Sequence, residues 1–280
     1  MDNNIKNTAL SNSEQLKKYA DDLALVYRSE KQKRKELQAA NEQLTVFADD
    51  LNKTILELKS ANEEIRDAYL DTINRLVLAA EYKDEDTGDH ILRMSRYSAL
   101  LAEKCGLSDR DIQNILYAAP MHDVGKIGIP DRILLKPGKL TKEEFDQMKS
   151  HTSIGANILA NSKAEMLRVA QQIAISHHEK WNGKGYPQGH SQEKIPLAGR
   201  IVGIADVFDA LTSKRPYKDP YPVEVACDII KKERGQHFDP DITDIFLANI
   251  DGIMEIKQKY SPAEDISLAN FMWSERDQEK

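Results

Sequence analysis

Residues 16–76 carry one uninterrupted pattern of polar and apolar positions. The stretch contains no proline or glycine and is dominated by Leu, Ala, Glu, Lys, Asn and Gln, so it predicts a single long helix. Key positions recur along it at alternating spacings of four and three residues, the pattern of a coiled-coil seam. The seam consists of Leu37, Asn41, Leu44, Ala48, Leu51, Ile55, Leu58, Asn62, Ile65 and Tyr69, with a weaker extension through Leu16, Ala20, Leu23 and Tyr27.

Two asparagines in the seam indicate how such a helix would pair. Asn41 and Asn62 occupy the same half of the repeat as Ile55. A buried asparagine there lowers stability but fixes register, typically in a parallel two-stranded pair. We therefore expect a parallel homodimer through this helix. A single amphipathic helix lying on its own domain stays open as the alternative, because the seam also carries Ala48 and polar residues such as Glu30.

From about residue 71 the pattern changes to helices of ordinary length separated by turns. Ser108 and Thr141 stand where helices should begin, and Gly106 where one should end. The stretch Ile201–Ala205 could be a buried strand by itself, but Phe208 and Leu211 continue its helical period, which favours a helix. Helical spacing also recurs at Ile91, Met94, Tyr97 and Leu101, and at Ile112, Ile115, Leu116 and Ala119.

These patterns predict an all-α chain with three regions. Residues 1–70 form a coiled-coil and dimerisation region, 71–260 a helical domain, and 261–280 a polar C-terminal tail. The formal charge of -7 includes no long block of Lys and Arg, so we expect no nucleic acid polymer as a partner. Cys105 and Cys227 lie far apart in the sequence and indicate no disulfide framework, which fits a reducing cytoplasm. No window approaches the ~18 to 20 apolar residues that span a bilayer. We expect a cytoplasmic protein that does not enter a membrane.

Histidines interleaved with carboxylates are the main candidates for chemistry. Five of the seven histidines lie between residues 90 and 178: His90, His122, His151, His177 and His178. Asp86 and His90 are four residues apart, so in a helix both side chains would reach one ion. Imidazole and carboxylate together suit ions such as Fe, Mn or Zn, and a carboxylate can bridge two ions whereas an imidazole cannot. Adjacent ions can activate water and stabilise the entering and leaving oxygens at phosphorus, which makes phosphodiester hydrolysis the natural chemistry.

The order of these residues resembles a known superfamily. His90, the pair His122-Asp123 and a later Asp206 follow the H…HD…D order of the HD phosphohydrolases. The run from His177 to Pro187, HHEKWNGKGYP, is similar to the signature of the HD-GYP branch, whose members hydrolyse the bacterial messenger cyclic di-GMP. Similarity extends over about residues 71–260 and implies an HD-type helical bundle preceded by the long N-terminal coiled-coil helix.

The resemblance implies a set of metal ligands and a count of ions. Asp123 would bridge two ions. Asp86 departs from the pattern, since family members with three metals have Glu there and many with two have Tyr. Three divalent transition metal ions are favoured over two, with iron first and manganese as the alternative. The implied ligands are Asp86, His90, His122, Asp123, His151, His177, His178 and Asp206.

The resemblance also implies substrate-binding residues. Lys126 would face the scissile phosphate as a catalytic cation, unless it only forms a surface salt bridge. Arg215 and Lys218 would bind the second phosphate and the guanine side, unless they belong to a solvated turn. Gly185, Tyr186 and Pro187 would form a shaped loop beside the site, or only a turn. Asn182 stands where the signature usually has Asp, which puts activity in doubt. His190 is assigned to the surface, and His237 to packing and hydrogen bonding near the end of the domain.

The implied activity is hydrolysis of cyclic di-GMP by metal-bound hydroxide to linear pGpG, and whether the reaction stops there or continues to GMP stays open. Two alternatives stay open. One is a weakly active cyclic di-GMP receptor that signals through its coiled coil to a protein partner. The other is hydrolysis of a different cyclic dinucleotide or nucleotide, because metal chemistry does not select the base.

Overall fold

The computed structural model describes residues 2–83, 88–214 and 219–260, with only the backbone given for residues 2–13, Glu81 and Gly88. Asp86, Arg215 and Lys218 lie outside the described residues, as does the C-terminal tail. Within the described ranges the secondary structure is helical, with no β-strand, and this confirms the predicted all-α fold. None of the helices in these ranges combines the length and the apolar character that a membrane span requires.

The described ranges contain ten α-helices and three short 3₁₀ helices. The 3₁₀ helices are Ala119–Met121, Val124–Gly128 and Gln192–Lys194. The α-helices are α1 (Asp2–Glu81), α2 (Gly88–Lys104), α3 (Asp109–Ala118), α4 (Asp131–Leu134), α5 (Lys142–Ile158), α6 (Glu165–Ser176), α7 (Leu197–Thr212), α8 (Val223–Lys232), α9 (Pro240–Ala248) and α10 (Ile250–Lys259).

The chain divides into two compact units, Met1–Asp67 and Ala68–Lys280. In the first unit α1 is a single helix whose seam side chains are exposed, for example Leu37 (62%) and Leu44 (63%). Helix α1 runs without a break through the predicted boundary at residue 70. Its last turns belong to the second unit, where they contribute Leu70, Ile73 and Val77 to the core.

The core of the second unit is formed by the apolar faces of α2, α3, α6 and α7, joined by α8, α9 and α10. Its largest fully buried side chains include Tyr97, Phe208 and Phe246. Tyr97 and Phe246 each place a ring edge against Phe208, at centroid distances of 5.8 and 5.0 Å. Burial of α7 on most of its circumference explains why its sequence reads as nearly continuous apolar residues.

Local signals in the sequence mark the helix ends correctly. The Ser108 hydroxyl accepts a hydrogen bond from the Asp111 N–H at the start of α3. Thr141 and Glu144 form a reciprocal capping box at the start of α5. Gly106 has a φ of 79°, a left-handed conformation that ends α2 and favours glycine. Residues 201–211 are helical within α7, as their period predicts.

Lys83 attaches the segment that follows α1 to the turn after Asp123. Its ammonium donates hydrogen bonds to the carbonyl oxygens of Ile127 at 2.8 Å and Ile129 at 2.6 Å. These carbonyls lie at the end of the 3₁₀ helix Val124–Gly128, where backbone acceptors lack partners within the helix. The Asp131 carboxylate lies 3.4 Å from the same ammonium. Lys83 therefore caps a turn more than forty positions away in the sequence.

We expect Lys83→Met to lower the free energy of unfolding by about 1–3 kcal/mol, because two carbonyl groups lose a charged donor. The side chain is 27% exposed, so water compensates for part of the loss. Urea denaturation of the variant and the wild type would measure the difference. Lys83→Arg keeps the charge and donors and serves as the control. Equal stability of Lys83→Met and the wild type would contradict the capping role.

Candidate metal centre

Helices α2, α5, α6 and α7 and the two 3₁₀ helices around His122 and Asp123 carry the candidate ligands to one place. His122 directly follows the 3₁₀ helix Ala119–Met121, and Asp123 precedes the next 3₁₀ helix, with φ −105° and ψ 8°. His151 lies in the interior of α5, and His177 is the C-terminal cap of α6. Helix α2 contributes His90 and helix α7 contributes Asp206. Residues far apart in sequence thus share one buried region.

Two glycines permit the close packing that brings these elements together. A Cβ at Gly125 would lie 1.9 Å from the His151 carbonyl oxygen, so only glycine lets the Val124–Gly128 turn approach α5 this closely. A Cβ at Gly203 would lie 2.8 Å from the His177 carbonyl oxygen, where α7 meets the end of α6. Both contacts lie directly beside candidate ligands.

The Asp123 carboxylate lies at the centre of the cluster. Its Oδ1 is 3.2 Å from His151 Nε2 and 3.5 Å from His177 Nε2. Its Oδ2 is 3.2 Å from His122 Nε2 and 2.8 Å from the Lys126 ammonium. The two oxygens therefore face different sets of groups.

Backbone hydrogen bonds determine which ring nitrogen faces this carboxylate. Nδ1 of His122 lies 3.1 Å from the Ala119 carbonyl oxygen, and Nδ1 of His151 lies 2.8 Å from that of Met148. His177 makes the same kind of contact with its own helix. A carbonyl oxygen only accepts, so each Nδ1 carries the proton and each Nε2 presents a lone pair.

This arrangement places acceptors against acceptors. Asp123 Oδ1, His151 Nε2 and His177 Nε2 are buried and make no hydrogen bond with any residue that the structure describes. A carboxylate oxygen and imidazole lone pairs repel each other at these distances unless a cation lies among them. The donor set therefore fits a transition metal ion. The ligand atoms of Asp123, His151, His177 and His178 all lie within 4.8 Å of one another.

A second group of donors lies beside the first. The ligand atoms of His90, His122 and Asp206 are also within 4.8 Å of one another, and His90 Nε2 is 3.6 Å from Asp206 Oδ1. Because Asp123 Oδ2 faces His122, the Asp123 carboxylate lies between the two groups. One of its oxygens faces His151 and His177, and the other faces His122.

Asp209 orients the His90 ring through a hydrogen bond at Nδ1. Its Oδ2 lies 2.8 Å from His90 Nδ1, and its two oxygens accept hydrogen bonds from Arg93 Nε at 2.7 Å and Nη2 at 2.9 Å. A carboxylate that accepts from Nδ1–H fixes the tautomer with Nε2 free to ligate and makes it a more basic ligand. Sequence reasoning missed Asp209 and Arg93. The available signal was a charged residue on the apolar face of α7, three positions after Asp206.

Protonation in the cluster follows from burial and from the neighbouring charges. Burial lowers the pKa of both His177 and His178, so both imidazoles are neutral at pH 7, as ligation requires. Burial acts to raise the pKa of Asp123, but the neighbouring Lys126 ammonium opposes it, and the pKa lies well below its ordinary value. Burial acts to lower the pKa of His90, yet the hydrogen bond and charge of Asp209 raise it.

Lys126 lies inside the site. Its side chain is 15% exposed, and its partner Asp123 is 12% exposed. The salt bridge between them is therefore largely withdrawn from water. A cation in this position lies next to any phosphate that binds beside Asp123.

The glycine-rich loop after His178 brings Tyr186 against the cluster. The Tyr186 N–H donates to the His178 carbonyl at 3.2 Å, and the two rings are 4.8 Å apart. Gly185 has no room for a Cβ, which would lie 2.3 Å from the Lys180 nitrogen. The loop therefore lies beside His178, with Pro187 following Tyr186 through a cis peptide bond.

Asn182 acts as a turn residue in this loop. Its side-chain oxygen accepts from the Lys184 N–H at 3.0 Å, and its amide lies 3.3 Å from the Gln236 side-chain oxygen. An aspartate could accept the same bond from Lys184. The departure from the family signature therefore leaves this turn intact.

Comparisons with known proteins agree with this geometry. A family model described as HD domain matches residues 4–242. The chain is 45% identical over 198 residues to a cyclic di-GMP phosphodiesterase of Thermotoga maritima, covering 70% of this chain and 54% of that protein. It is 43% identical over 206 residues to the cyclic di-GMP phosphodiesterase response regulator RpfG of Xanthomonas campestris, covering 74% and 54%.

A third relative is named for a different substrate. The chain is 41% identical over 194 residues to 3'3'-cGAMP-specific phosphodiesterase 2 of Vibrio cholerae, which covers 69% of this chain and 37% of that protein. The matched region thus spans about half, or less, of the length of these relatives.

We expect Asn182→Asp to keep bound metal and turnover within about twofold of wild type, since surface changes that retain a hydrogen bond cost little. Asn182→Ala removes the acceptor for the Lys184 N–H and should weaken the turn. Measurement of metal content and turnover in both variants, in parallel with wild type, would test this interpretation. A large loss of activity in Asn182→Asp alone would show that the amide itself is required.

Proposed function

The chain belongs to the HD domain family, and on that premise we propose that it is a metal-dependent phosphodiesterase that hydrolyses cyclic di-GMP. The observation that supports this most directly is the buried Asp123 carboxylate facing imidazole lone pairs, which only a cation can reconcile. Relatives named as cyclic di-GMP phosphodiesterases, at 43% and 45% identity, support the choice of substrate.

We assign one ion to His151, His177 and His178, a second to His90, His122 and Asp206, and the bridge between them to Asp123. Asp86 would serve a third ion; it lies outside the described residues, and three ions against two stays a prediction. Iron is the first choice and manganese the second, since mixed imidazole and carboxylate donors suit both. When bound, such ions lower the pKa of water and neutralise charge on phosphoryl oxygens.

The protein's own groups would then position the phosphodiester. Lys126 donates to a non-bridging phosphate oxygen or to the leaving oxygen, and Asp123 keeps its ammonium in place. Gly185, Tyr186 and Pro187 form a wall beside His178 against which a nucleotide can lie. Arg215 and Lys218, outside the described residues, stay our candidates for the second phosphate and the guanine. The product would be pGpG, or GMP where both phosphodiesters are cleaved.

Hydrolysis of 3'3'-cGAMP is the second candidate. The Vibrio cholerae relative at 41% identity carries that substrate in its name. Both dinucleotides present the same phosphodiester to the metal centre, so the discrimination must come from contacts with the bases.

An assay on protein purified without oxygen and loaded with Fe(II) or Mn(II) tests the proposal. We expect chromatography to detect pGpG or GMP from cyclic di-GMP, and mass spectrometry to find at least two ions per chain. His151→Ala should lose metal and activity, by about a hundredfold or more if a ligand is removed. His190→Ala is the matched control, because His190 lies outside both ligand groups.

Bound metal without any product from cyclic di-GMP would refute hydrolysis of that substrate, and bound metal without product from either dinucleotide would refute the enzymatic proposal. Tight binding of cyclic di-GMP without turnover would instead favour the alternative that the protein is a cyclic di-GMP receptor. Product from 3'3'-cGAMP alone would establish the second candidate.

We propose that α1 pairs in parallel with α1 of a second copy. The support is the exposure of the seam in the single chain, where Leu16, Leu23, Leu58 and Ile65 are each at least 60% exposed. Exposed apolar side chains repeated at seam spacing are stabilised when a second helix covers them. A paired helix of this kind could transmit a signal from a protein partner to the second unit.

Deletion of residues 1–65 should give a mostly monomeric domain that still binds metal, because all the ligands lie in the unit Ala68–Lys280. Light scattering would measure the mass of the shortened and full chains, and metal analysis would report on the site. A shortened chain that remains a dimer would rule out pairing through this helix.

A further inference from the structure

We propose that Glu179 is a positioning residue for substrate binding: its carboxylate holds the end of the glycine-rich loop so that Tyr186 lies against His178. The part that concerns substrate rests on the function proposed above. Glu179 belongs to neither group of candidate metal ligands, although it directly follows His178. Its role is therefore distinct from ligation.

The contacts of Glu179 lead to the loop. Its side chain is buried, with the residue only 5% exposed. Its Oε1 accepts hydrogen bonds from the backbone N–H groups of Gln188 at 2.7 Å and Gly189 at 3.1 Å. Hydrogen bonds to a buried carboxylate are stronger than those between neutral groups. The carboxylate thus closes the chain between residues 179 and 189 into a ring.

Other contacts hold the two halves of this ring differently. Near its start, the N–H groups of Trp181 and Asn182 donate to the carbonyls of His237 at 2.9 Å and Gln236 at 3.0 Å. Its end, at Gln188 and Gly189, is held by Glu179. Loss of this anchor should therefore loosen the part of the loop that carries Tyr186, which keeps only the bond from its N–H to the His178 carbonyl among those named here, and leave the first part in place.

The second carboxylate oxygen of Glu179, Oε2, is bonded differently from the first. Oε2 makes no hydrogen bond with any residue that the structure describes, and Glu179 lines a cavity of about 10 Å³, the size of one water molecule. Burial of a carboxylate bonded through one oxygen costs free energy. An apolar side chain of the same size would pack here at a lower cost. The hydrogen bonds that Oε1 accepts therefore explain why a glutamate occupies this position.

Tyr186 connects the anchor to the proposed substrate site. Its ring lies 4.8 Å from that of His178 and 6.5 Å from that of His151. On its outer side it meets Phe145, whose ring is 6.2 Å away and which is 45% exposed, and Lys149, whose ammonium is 5.7 Å away. An aromatic wall with a nearby cation, directly beside candidate metal ligands, suits the base and phosphate of a nucleotide.

Glu179→Met tests the anchor, since methionine keeps the buried volume but cannot accept the two hydrogen bonds. We expect unchanged metal content and a KM for cyclic di-GMP raised about tenfold, the size of one lost hydrogen bond to a charged group, with a smaller change in kcat. Glu179→Gln keeps an oxygen acceptor and should restore most of the affinity. Metal loss in Glu179→Met would overturn the proposal by assigning the residue to the metal centre.

A double-mutant cycle shows whether Glu179 acts through the loop. In a Tyr186→Ala background, Glu179→Met should raise KM by less than about twofold, because residues acting in one unit are not additive. Full additivity of the two changes would exclude action through Tyr186. Glu179→Ala repeats the cycle with a second side chain should Glu179→Met fold poorly.

Limited trypsin digestion reports on the loop without any substrate. Lys184 is exposed within the ring, so Glu179→Met should raise the rate of cleavage after Lys184, and Glu179→Gln should not. If the wild type neither binds nor cleaves cyclic di-GMP but digestion behaves as expected, the proposed function fails and the anchor stands. Unchanged digestion and unchanged KM in Glu179→Met would overturn the anchor.

Discussion

The second unit is organised around a buried negative charge that faces lone pairs. Asp123 Oδ1 lies 3.2–3.5 Å from the Nε2 atoms of His151 and His177, and backbone carbonyls hold both imidazoles in the tautomer that cannot donate to it. Without a cation these groups repel one another in a medium of low dielectric constant. A metal ion bound here would stabilise an arrangement that the protein groups alone oppose.

Several residues outside the set of candidate ligands maintain this arrangement. Gly125 lets a turn approach α5 to a distance that any Cβ would prevent. Asp209, paired with Arg93, orients His90 from the opposite side. Lys83 caps the turn that follows Asp123, directly after the long helix α1 ends. Hydrogen bonds accepted by the buried Asp209 carboxylate and donated by the Lys83 ammonium thus help to position the candidate site.

The candidate ligands carry a clearer signal in the sequence than the residues that support them. His90, His122 and Asp206 stand in a recognisable order, so they could be singled out before any coordinates. Glu179 and Lys83 could not, because their partners are backbone groups, and backbone groups carry no signature in a sequence. Position 182 shows the opposite case. Asn in place of the signature's Asp put activity in doubt from the sequence, yet the turn uses a side-chain oxygen that both residues provide.

The sequence by itself determined the helical character of the chain, the coiled-coil spacing of α1, the helix caps and the chemical nature of the site. Each of these depends on residues within a few turns of one another, or on residue type alone. Only the tertiary structure decided that the donors form two groups joined by Asp123, and which oxygen faces which imidazole. Those distances depend on how α2, α5, α6 and α7 pack, and packing at this precision arises from contacts across more than a hundred positions that no local pattern contains.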